Sequence, residues 1–332
     1  MINVMPDFYG RFKCTASACT DNCCIGWEVD IDDGTLNKYK ALSSPFAKEL
    51  NESYTVSPDN CTCFRLTKDK RCIHLDENNL CRIIKTEGET MLCDICREHP
   101  RFYNDMPGAA EAGLGLCCEE VCRLLFLNKK GFKLTVDDDG REDFDESDEK
   151  ALYTALFNIR QSLFDIVFAE GIPYGKKTAA VRETAARYDR EIFLNDNENT
   201  ELPDDGKLCA LMAGTEAIDE NWLPLVKKIE NKLACLTEAE PAYDKECGFH
   251  DCELVLAYTL YRHFIVSFDD GEILAHTDFC LKFTRFYKLM NLLCFTESGT
   301  LTDENRINNL KYLSKQTEYS DENTDLLTFT EY

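Results

Sequence analysis

The chain has 332 residues, of which 44% are hydrophobic, so it can bury a core and form two domains without disulfides. Its 37 basic and 61 acidic residues leave a net charge of −24, which repels phosphate backbones and anionic lipid. We therefore expect no nucleic-acid or membrane partner. The negative electrostatic field of the chain would attract a lysine-bearing protein, although a solvated acidic surface is the commoner reason for such a charge.

The beginning of the chain has neither the basic nor the apolar region of a signal peptide, and no later run is long enough to span a membrane. We therefore expect a cytoplasmic protein. Thiols stay reduced in that compartment, so abundant cysteines indicate metal binding or catalysis rather than cross-links. Thirteen of the nineteen cysteines lie at or before Cys122, as a localised site requires.

The first cysteine motif brings four thiols together within eleven residues. It reads Phe12-Lys-Cys14-x4-Cys19-x3-Cys23-Cys24-x2-Trp27. Such crowding predicts a metal centre, because sulfur-rich ligand sets select zinc, copper(I) or iron–sulfur clusters over hard cations. Adjacent cysteines point in different directions, so we expect at most one of Cys23 and Cys24 on a given metal.

The segment after this motif predicts a short strand and then a helix. Polar and apolar residues alternate from Trp27 to Ile31, and the stretch from Thr35 to Leu42 follows an aspartate that can cap a helix. Other apolar runs before residue 137 are short and broken by Gly, Pro, Asn and Asp. We expect an irregular domain in which metal binding contributes to folding.

The later cysteines of this half continue the pattern at Cys61, Cys63, Cys72, Cys81, Cys93, Cys96, Cys117, Cys118 and Cys122. One zinc or one [4Fe–4S] cluster needs at most four ligands, so either two centres exist or several thiols are spectators. Paired C-x2-C knuckles, the radical C-x3-C-x2-C triplet and the ferredoxin spacing are all absent. The spacing therefore argues against a zinc ribbon and a simple electron carrier.

Histidines and the remaining cysteines have ordinary interpretations. His74 and His99 lie near cysteines and could be ligands, but hydrogen-bonding roles are commoner. The later cysteines fall in helical patterns and are interpreted as core residues: Cys209, Cys235, Cys247, Cys252, Cys280 and Cys294.

An acidic linker at residues 137–150 separates two predicted domains, a cysteine-rich metal-cluster domain at 1–136 and a helical domain at 151–332. Apolar residues at helical spacing predict the helices of the second domain. These helices cover about 152–167, 176–193, 207–218, 222–236, 252–268, 276–295 and 305–315. The predicted fold is mostly α, with an irregular cysteine-rich N-terminal domain containing short strands and an all-α C-terminal domain.

The sequence resembles the flagellin lysine-N-methylase family, which is related to cysteine-rich zinc- or iron-chelating domain proteins. The resemblance is carried by the first cysteine motif and by several later blocks. These are Cys72-Ile-His-Leu-Asp76, Leu80-Cys81, Cys96-Arg-Glu-His-Pro100-Arg101, Leu114-Gly-Leu-Cys117-Cys118-Glu-Glu120, Arg123-Leu-Leu125, Tyr258-Thr-Leu-Tyr-Arg262-His-Phe264 and Asp270-Gly-Glu-Ile273.

The resemblance implies a protein-lysine methyltransferase that carries an iron–sulfur cluster, of the [4Fe–4S] type, and moves methyl groups from S-adenosylmethionine to flagellin. It also implies a set of metal ligands, namely Cys14, Cys19, Cys23, Cys24, Cys72, Cys81, Cys96 and Cys118. The extra cysteines, outside that set, are Cys61, Cys63, Cys93, Cys117 and Cys122.

Lysine methylation also requires a neutral amine, so Glu28, Glu120 and Tyr261 are considered as bases. An iron with an open coordination position could hold the amino and carboxylate groups of the methyl donor.

Two alternatives to the methyltransferase remain open: a non-catalytic zinc- or iron-binding module, and an iron–sulfur redox protein.

Overall fold

The computed structural model describes residues 2–27, 29–57, 60–138, 147–195 and 200–330. The fold is mostly helical with a few short strands, which confirms the predicted class. The strands are β1 (Ile2–Pro6), β2 (Tyr54–Val56), β3 (Thr62–Phe64), β4 (Arg101–Met106), β5 (Ala109–Leu114) and β6 (Leu134–Asp138). None of the described helices combines the length and the apolar character needed to cross a bilayer.

The helices before the acidic segment are short. They are α1 (Asp33–Ala41), α2 (Ala47–Asn51), α3 (Arg82–Glu87), α4 (Asp94–Glu98) and α5 (Glu119–Phe126). Those after it are α6 (Asp148–Val167), α7 (Tyr174–Phe193), α8 (Asp205–Ala213), α9 (Trp222–Cys247), α10 (His250–His263), α11 (Ser267–Asp270), α12 (Ile273–Ser298), α13 (Asp303–Glu318) and α14 (Asp321–Phe329).

The chain forms two compact units. The smaller unit is Phe12–Phe102 with Cys118–Glu120, and the larger unit is Met1–Arg11, Tyr103–Cys117 and Val121–Tyr332. This division differs from the predicted domains at 1–136 and 151–332, because β1, β5 and β6 form one sheet that belongs to the larger unit. Residues 139–146 of the predicted acidic linker lie outside the described part of the chain.

The sheet of the larger unit has the strand order β4-β5-β1-β6. Strand β1 pairs in parallel with β5, where Val4 lies opposite Glu111, and antiparallel with β6, where Val4 lies opposite Val136. The side chains of Val4 and Glu111 are buried on the same face of the sheet. That face is the inner one of the larger unit.

A fully buried ion pair joins this sheet to helix α6. The Arg160 guanidinium donates to both carboxylate oxygens of Glu111, at 2.9 and 2.6 Å, and to the backbone oxygen of Tyr261 at 3.1 Å. The hydroxyl of Tyr153 donates to the same carboxylate at 2.8 Å. Both charged side chains are completely inaccessible to solvent, so the charge of each is compensated by the opposite charge of the other.

Helix α12 is the centre of the helical part. Most of its residues are buried, and it contacts α7, α9, α10, α13 and α14. A helix that is buried on all sides loses the amphipathic pattern of a surface helix, and its charged residues must find partners. Lys282, for example, donates to the backbone oxygens of Leu327 and Thr330, at 2.8 and 3.2 Å, near the end of α14.

Helix α9 continues well beyond its predicted end near Leu236, through Pro241. Proline removes one helical hydrogen bond. The tertiary contacts of the last three turns outweigh that loss: Tyr243 is buried, and Glu240 accepts hydrogen bonds from Arg285 and Lys288 of α12.

Glu240 should make stability depend on pH. Burial raises the pKa of its carboxyl, but the hydrogen bonds from Arg285 and Lys288 outweigh burial and lower that pKa to about 2. In the unfolded chain the carboxyl has a pKa of about 4.3. The unfolded state therefore binds the proton first as the pH falls from 5 to 2, and we expect the folded state to lose about 2 kcal/mol in that interval.

The measurement is the free energy of unfolding at several pH values for the wild-type chain and for Glu240→Gln. The variant lacks the titrating group, so its curve should be flatter between pH 5 and 2. Two parallel curves would show that Glu240 does not contribute this dependence.

The smaller unit is built from short elements around its own hydrophobic core. Strands β2 and β3 form a hairpin, and Asp32 caps α1 by accepting a hydrogen bond from the backbone of Thr35 at 2.8 Å. The helix predicted at 35–42 is therefore present as α1, which begins two residues earlier than predicted. The described residues of the strand predicted from Trp27 to Ile31 do not form a regular strand. Asp30 makes an isolated bridge with Cys63, flanked by backbone hydrogen bonds from Ile31 to Thr62 at 2.7 Å and from Phe64 to Val29 at 3.0 Å.

Candidate functional site

Five cysteines meet in the core of the smaller unit. Cys72 and Cys93 are buried in this core, and three further cysteines pack against it. We call the five the thiol core: Cys24, Cys72, Cys81, Cys93 and Cys96. Four of them belong to the predicted ligand set, and they come from three separate stretches of the chain.

A backbone contact joins the first two of these stretches. The amide of Cys72 donates to the backbone oxygen of Cys24 at 2.8 Å, and the amide of Gly26 donates to that of Lys70 at 2.9 Å. Gly26 has a φ of +100°, a conformation that side chains disfavour, and this lets the chain turn directly after the first cysteine motif. The local turn therefore brings Cys24 to Cys72.

The other thiols of the core lie at the beginnings of two short helices. Cys81 precedes α3 and Cys93 precedes α4. Asp32 fixes the position of α4, because its second carboxylate oxygen accepts a hydrogen bond from the amide of Asp94 at 2.9 Å while the first caps α1. Cys96 follows within the first turn of α4 and reaches the same core.

Burial and mutual proximity keep most of these thiols protonated. Burial, together with the neighbouring Cys81 and Cys93, raises the pKa of Cys72 to about 11. A hydrogen bond with Cys93, followed by burial, raises the pKa of Cys96, whereas the same hydrogen bond lowers the pKa of Cys93. Binding of a metal would therefore release protons from the thiol core.

The other predicted ligands lie outside the thiol core. Cys23 is exposed but close enough to Cys24 for a hydrogen bond that raises the pKa of Cys24. Cys14 is exposed, and its sulfur accepts the amide of Ala16 at 3.4 Å. The sulfur of Cys19 lies 3.8 Å from a carboxylate oxygen of Glu119, the residue that follows Cys118.

The extra cysteines have different environments. Cys93 lies in the thiol core, although the resemblance did not include it among the ligands. Cys61 is exposed and Cys63 is buried in the smaller unit. Cys117 and Cys122 belong to the larger unit, where their sulfurs contact the hydroxyl of Tyr319 at 2.8 Å and the backbone oxygen of Leu116 at 3.0 Å.

Of the six cysteines interpreted as core residues, Cys209, Cys252 and Cys280 are buried, while Cys247 and Cys294 are half-buried. Cys235 is exposed, so the interpretation is wrong for that residue. It lies on a part of α9 that faces solvent, where helical spacing alone does not distinguish the two faces.

The two histidines near the cysteines, His74 and His99, make ordinary contacts with neighbouring side chains. His74 is buried, makes a 2.6 Å hydrogen bond to the hydroxyl of Ser53, and has its pKa lowered to about 4 by burial. The ring of His99 lies against Trp27, with the ring centres 6.2 Å apart. The hydrogen-bonding interpretation thus describes His74 well.

Among the bases considered, Tyr261 is unsuitable. Its hydroxyl is buried and donates to the backbone oxygen of Ala112 at 2.8 Å, and burial followed by Glu111 raises its pKa well above the ordinary value. It therefore keeps its proton. Glu120 is buried in the smaller unit. Glu28 lies outside the described residues.

The donor chemistry of the thiol core fits a sulfur-bound metal group. Its five donors are all sulfur, which suits zinc or an iron–sulfur cluster and not a hard cation. Within the described residues, no three His, Cys, Asp or Glu side chains already have the arrangement of a metal site. The structure thus brings the right donors into one core without placing them as ligands.

Comparison with known proteins gives three relatives. The chain is 31% identical to the lysine-N-methylases of Salmonella typhimurium strain LT2 and Salmonella choleraesuis strain SC-B67, over 121 residues in each case, which is 35% of this chain and 30% of those proteins. It is 31% identical over 127 residues to the flagellar biosynthetic protein FliU of Salmonella muenchen, covering 35% of this chain and 72% of that protein. No family model and no solved structure matches.

Proposed function

The chain belongs to the flagellin lysine-N-methylase family, and on that premise we propose that it transfers methyl groups from S-adenosylmethionine to lysine side chains of flagellin. The observation that carries the proposal is the similarity to two proteins named lysine-N-methylase. The matched stretch spans about a third of this chain and 30% of those relatives, so the activity and substrate are carried over as part of the proposal.

The chemistry makes definite demands on the protein. The neutral amine of the lysine attacks the methyl carbon with its lone pair, the carbon–sulfur bond of the donor breaks, and its electron pair stays on sulfur. S-adenosylhomocysteine leaves, and the methylated amine gives up a proton. Since a free lysine has a pKa of about 10.4, the site must desolvate the amine or accept its proton.

We assign the iron–sulfur cluster of this proposal to the thiol core. Three of the four thiols Cys24, Cys72, Cys81 and Cys96 would hold it and leave one iron without a thiolate, and Cys93 is a further sulfur beside them. When bound, such a cluster with one open iron position supplies a site for the amino and carboxylate groups of the methyl donor. Spectroscopy showing thiolate ligands on every iron would contradict that role.

The acidic surface supports a basic protein substrate. A net charge of −24 raises the local concentration of a lysine-bearing partner and increases its association rate at low salt. The same field disfavours nucleic acid.

A second candidate is a non-catalytic module that holds zinc or iron. It is favoured by the position of Cys72 and Cys93 in the hydrophobic core of the smaller unit, where bound metal would contribute to folding. The redox alternative has no comparable support.

Methyl incorporation is the direct test. Protein purified without oxygen and incubated with labelled S-adenosylmethionine and flagellin should transfer label to flagellin. Flagellin whose lysines have been chemically dimethylated beforehand is the matched control and should take up far less. If iron-replete, reduced protein incorporates no label into flagellin, the proposed methyltransferase activity is contradicted.

Iron and acid-labile sulfide, measured on the same preparation, separate the two candidates. Iron with sulfide supports the cluster. Zinc without sulfide, together with no incorporation, would favour the non-catalytic module.

A further inference from the structure

Strand β6 is an exposed edge of the sheet in the larger unit. It is last in the order β4-β5-β1-β6, and within the described part of the chain it pairs with β1 alone. Four of its five residues are exposed, and Val136 keeps 55% of its surface. Exposed edges offer backbone hydrogen-bonding groups to another strand.

The hydrogen-bond pattern identifies which groups of β6 point outwards. The amide of Asp7 donates to the backbone oxygen of Lys133 at 2.8 Å, in the same register that places Val4 opposite Val136. In an antiparallel ladder, bonded and non-bonded pairs alternate. Thr135 and Asp137 therefore bond to β1, whereas the backbone groups of Leu134 and Val136 point away from the sheet.

The side chains of β6 define what kind of strand would fit. Val136 lies opposite Val4, so its side chain is on the inner face, yet it is more than half exposed. Thr135 and Asp137 lie on the other face. A strand added here would find Leu134 and Val136 on one face and Thr135 and the carboxylate of Asp137 on the other.

Charge complementarity selects the partner. Asp137 and Asp138 are exposed at the end of β6, and the sequence continues as Asp-Gly-Arg-Glu-Asp-Phe-Asp-Glu-Ser-Asp-Glu to residue 149. Lysine side chains on the outer face of an added strand would lie beside the carboxylate of Asp137. Two copies of this chain would instead bring together molecules of net charge −24.

We propose that β6 binds an extended, lysine-bearing segment of a partner protein by strand addition, with backbone hydrogen bonds to Leu134 and Val136 and lysines beside Asp137. This rests on the proposed function in one respect: the partner is the protein substrate. Backbone pairing supplies the affinity, and the alternation of apolar and lysine side chains supplies the selection.

The test uses the full chain and a short synthetic peptide in which lysine alternates with valine, labelled for fluorescence anisotropy. Val136→Pro removes the outward amide, and proline is tolerated on an edge strand at such a position. Val136→Thr keeps the amide and the branched shape and is the matched control. Thermal unfolding checks that both variants remain folded.

We expect Val136→Pro to weaken peptide binding about three- to tenfold, while Val136→Thr changes it less than about twofold. Asp137→Lys should also weaken binding and reduce its dependence on salt. A peptide with glutamate in place of lysine should not bind.

Equal peptide binding by all variants would overturn the proposal. Concentration-dependent dimers that Val136→Pro abolishes would also overturn it, because β6 would then bind a second copy of this chain. If the variants change peptide binding as expected but no methylation is detected, the proposed function is refuted and the proposed strand-addition surface is retained. Methylation together with variant-independent peptide binding would refute the surface alone.

Discussion

Glu111→Ala is expected to destabilise the larger unit by about 3 to 5 kcal/mol. The variant leaves the guanidinium of Arg160 buried and without its carboxylate, and it also removes the acceptor of Tyr153. Urea unfolding, followed by the fluorescence and circular dichroism of the whole chain, measures the loss.

The informative control removes both charges. Glu111→Leu combined with Arg160→Met replaces the pair by apolar side chains, and such replacements are often close to neutral because the cost of burying two charges disappears with them. The double variant should therefore be clearly more stable than Glu111→Ala. A double variant that is as unstable as the single one would show that packing of the long side chains, and not charge compensation, dominates at this position.

Cys24→Ser is expected to remove most of the bound metal. Cys24 lies at the contact between two of the stretches that form the thiol core, and its loss would leave sulfurs from only the stretches 72–81 and 93–96 to hold a cluster. Since metal binding adds to folding, the smaller unit should also unfold at a lower denaturant concentration. Iron and sulfide analysis and the visible absorption of protein kept without oxygen are the measurements.

Cys61→Ser is the matched control, because Cys61 is exposed and lies outside the thiol core. It should keep the metal content of the wild type. Cys19→Ala separates the two groups of predicted ligands: metal lost from this variant would place Cys19 in the site, and metal kept would restrict the site to the thiol core. Full metal content in Cys24→Ser would refute the assignment.

Hydrophobic periodicity predicted most of the larger unit's helices, because amphipathic helices carry their pattern in the sequence. It did not predict α14, whose sequence DENTDLLTF contains few apolar residues. That helix begins at a Ser320 cap, and Asn323 bonds to the backbone of Glu216 and Gln316. Polar tertiary contacts of this kind leave no periodic signal.

Cysteine spacing predicted which half of the chain contains the site, but not which thiols meet. Cys93 was set aside, yet it is buried in the thiol core because it begins a helix that Asp32 holds in place. Cys14 and Cys19, which share the first cysteine motif with Cys24, lie outside it. Distances between cysteines that are far apart in sequence depend on turns such as the one at Gly26, and a single sequence does not determine those.

The order of the chain has a consequence for biosynthesis. Strand β1 ends before the smaller unit begins, and its partners β5 and β6 follow about a hundred residues later. At about 5 to 20 residues per second, a ribosome needs roughly 5 to 20 seconds to make them. Strand β1 must wait that long for its partners, and in that interval its unpaired edges are open to a ribosome-bound chaperone.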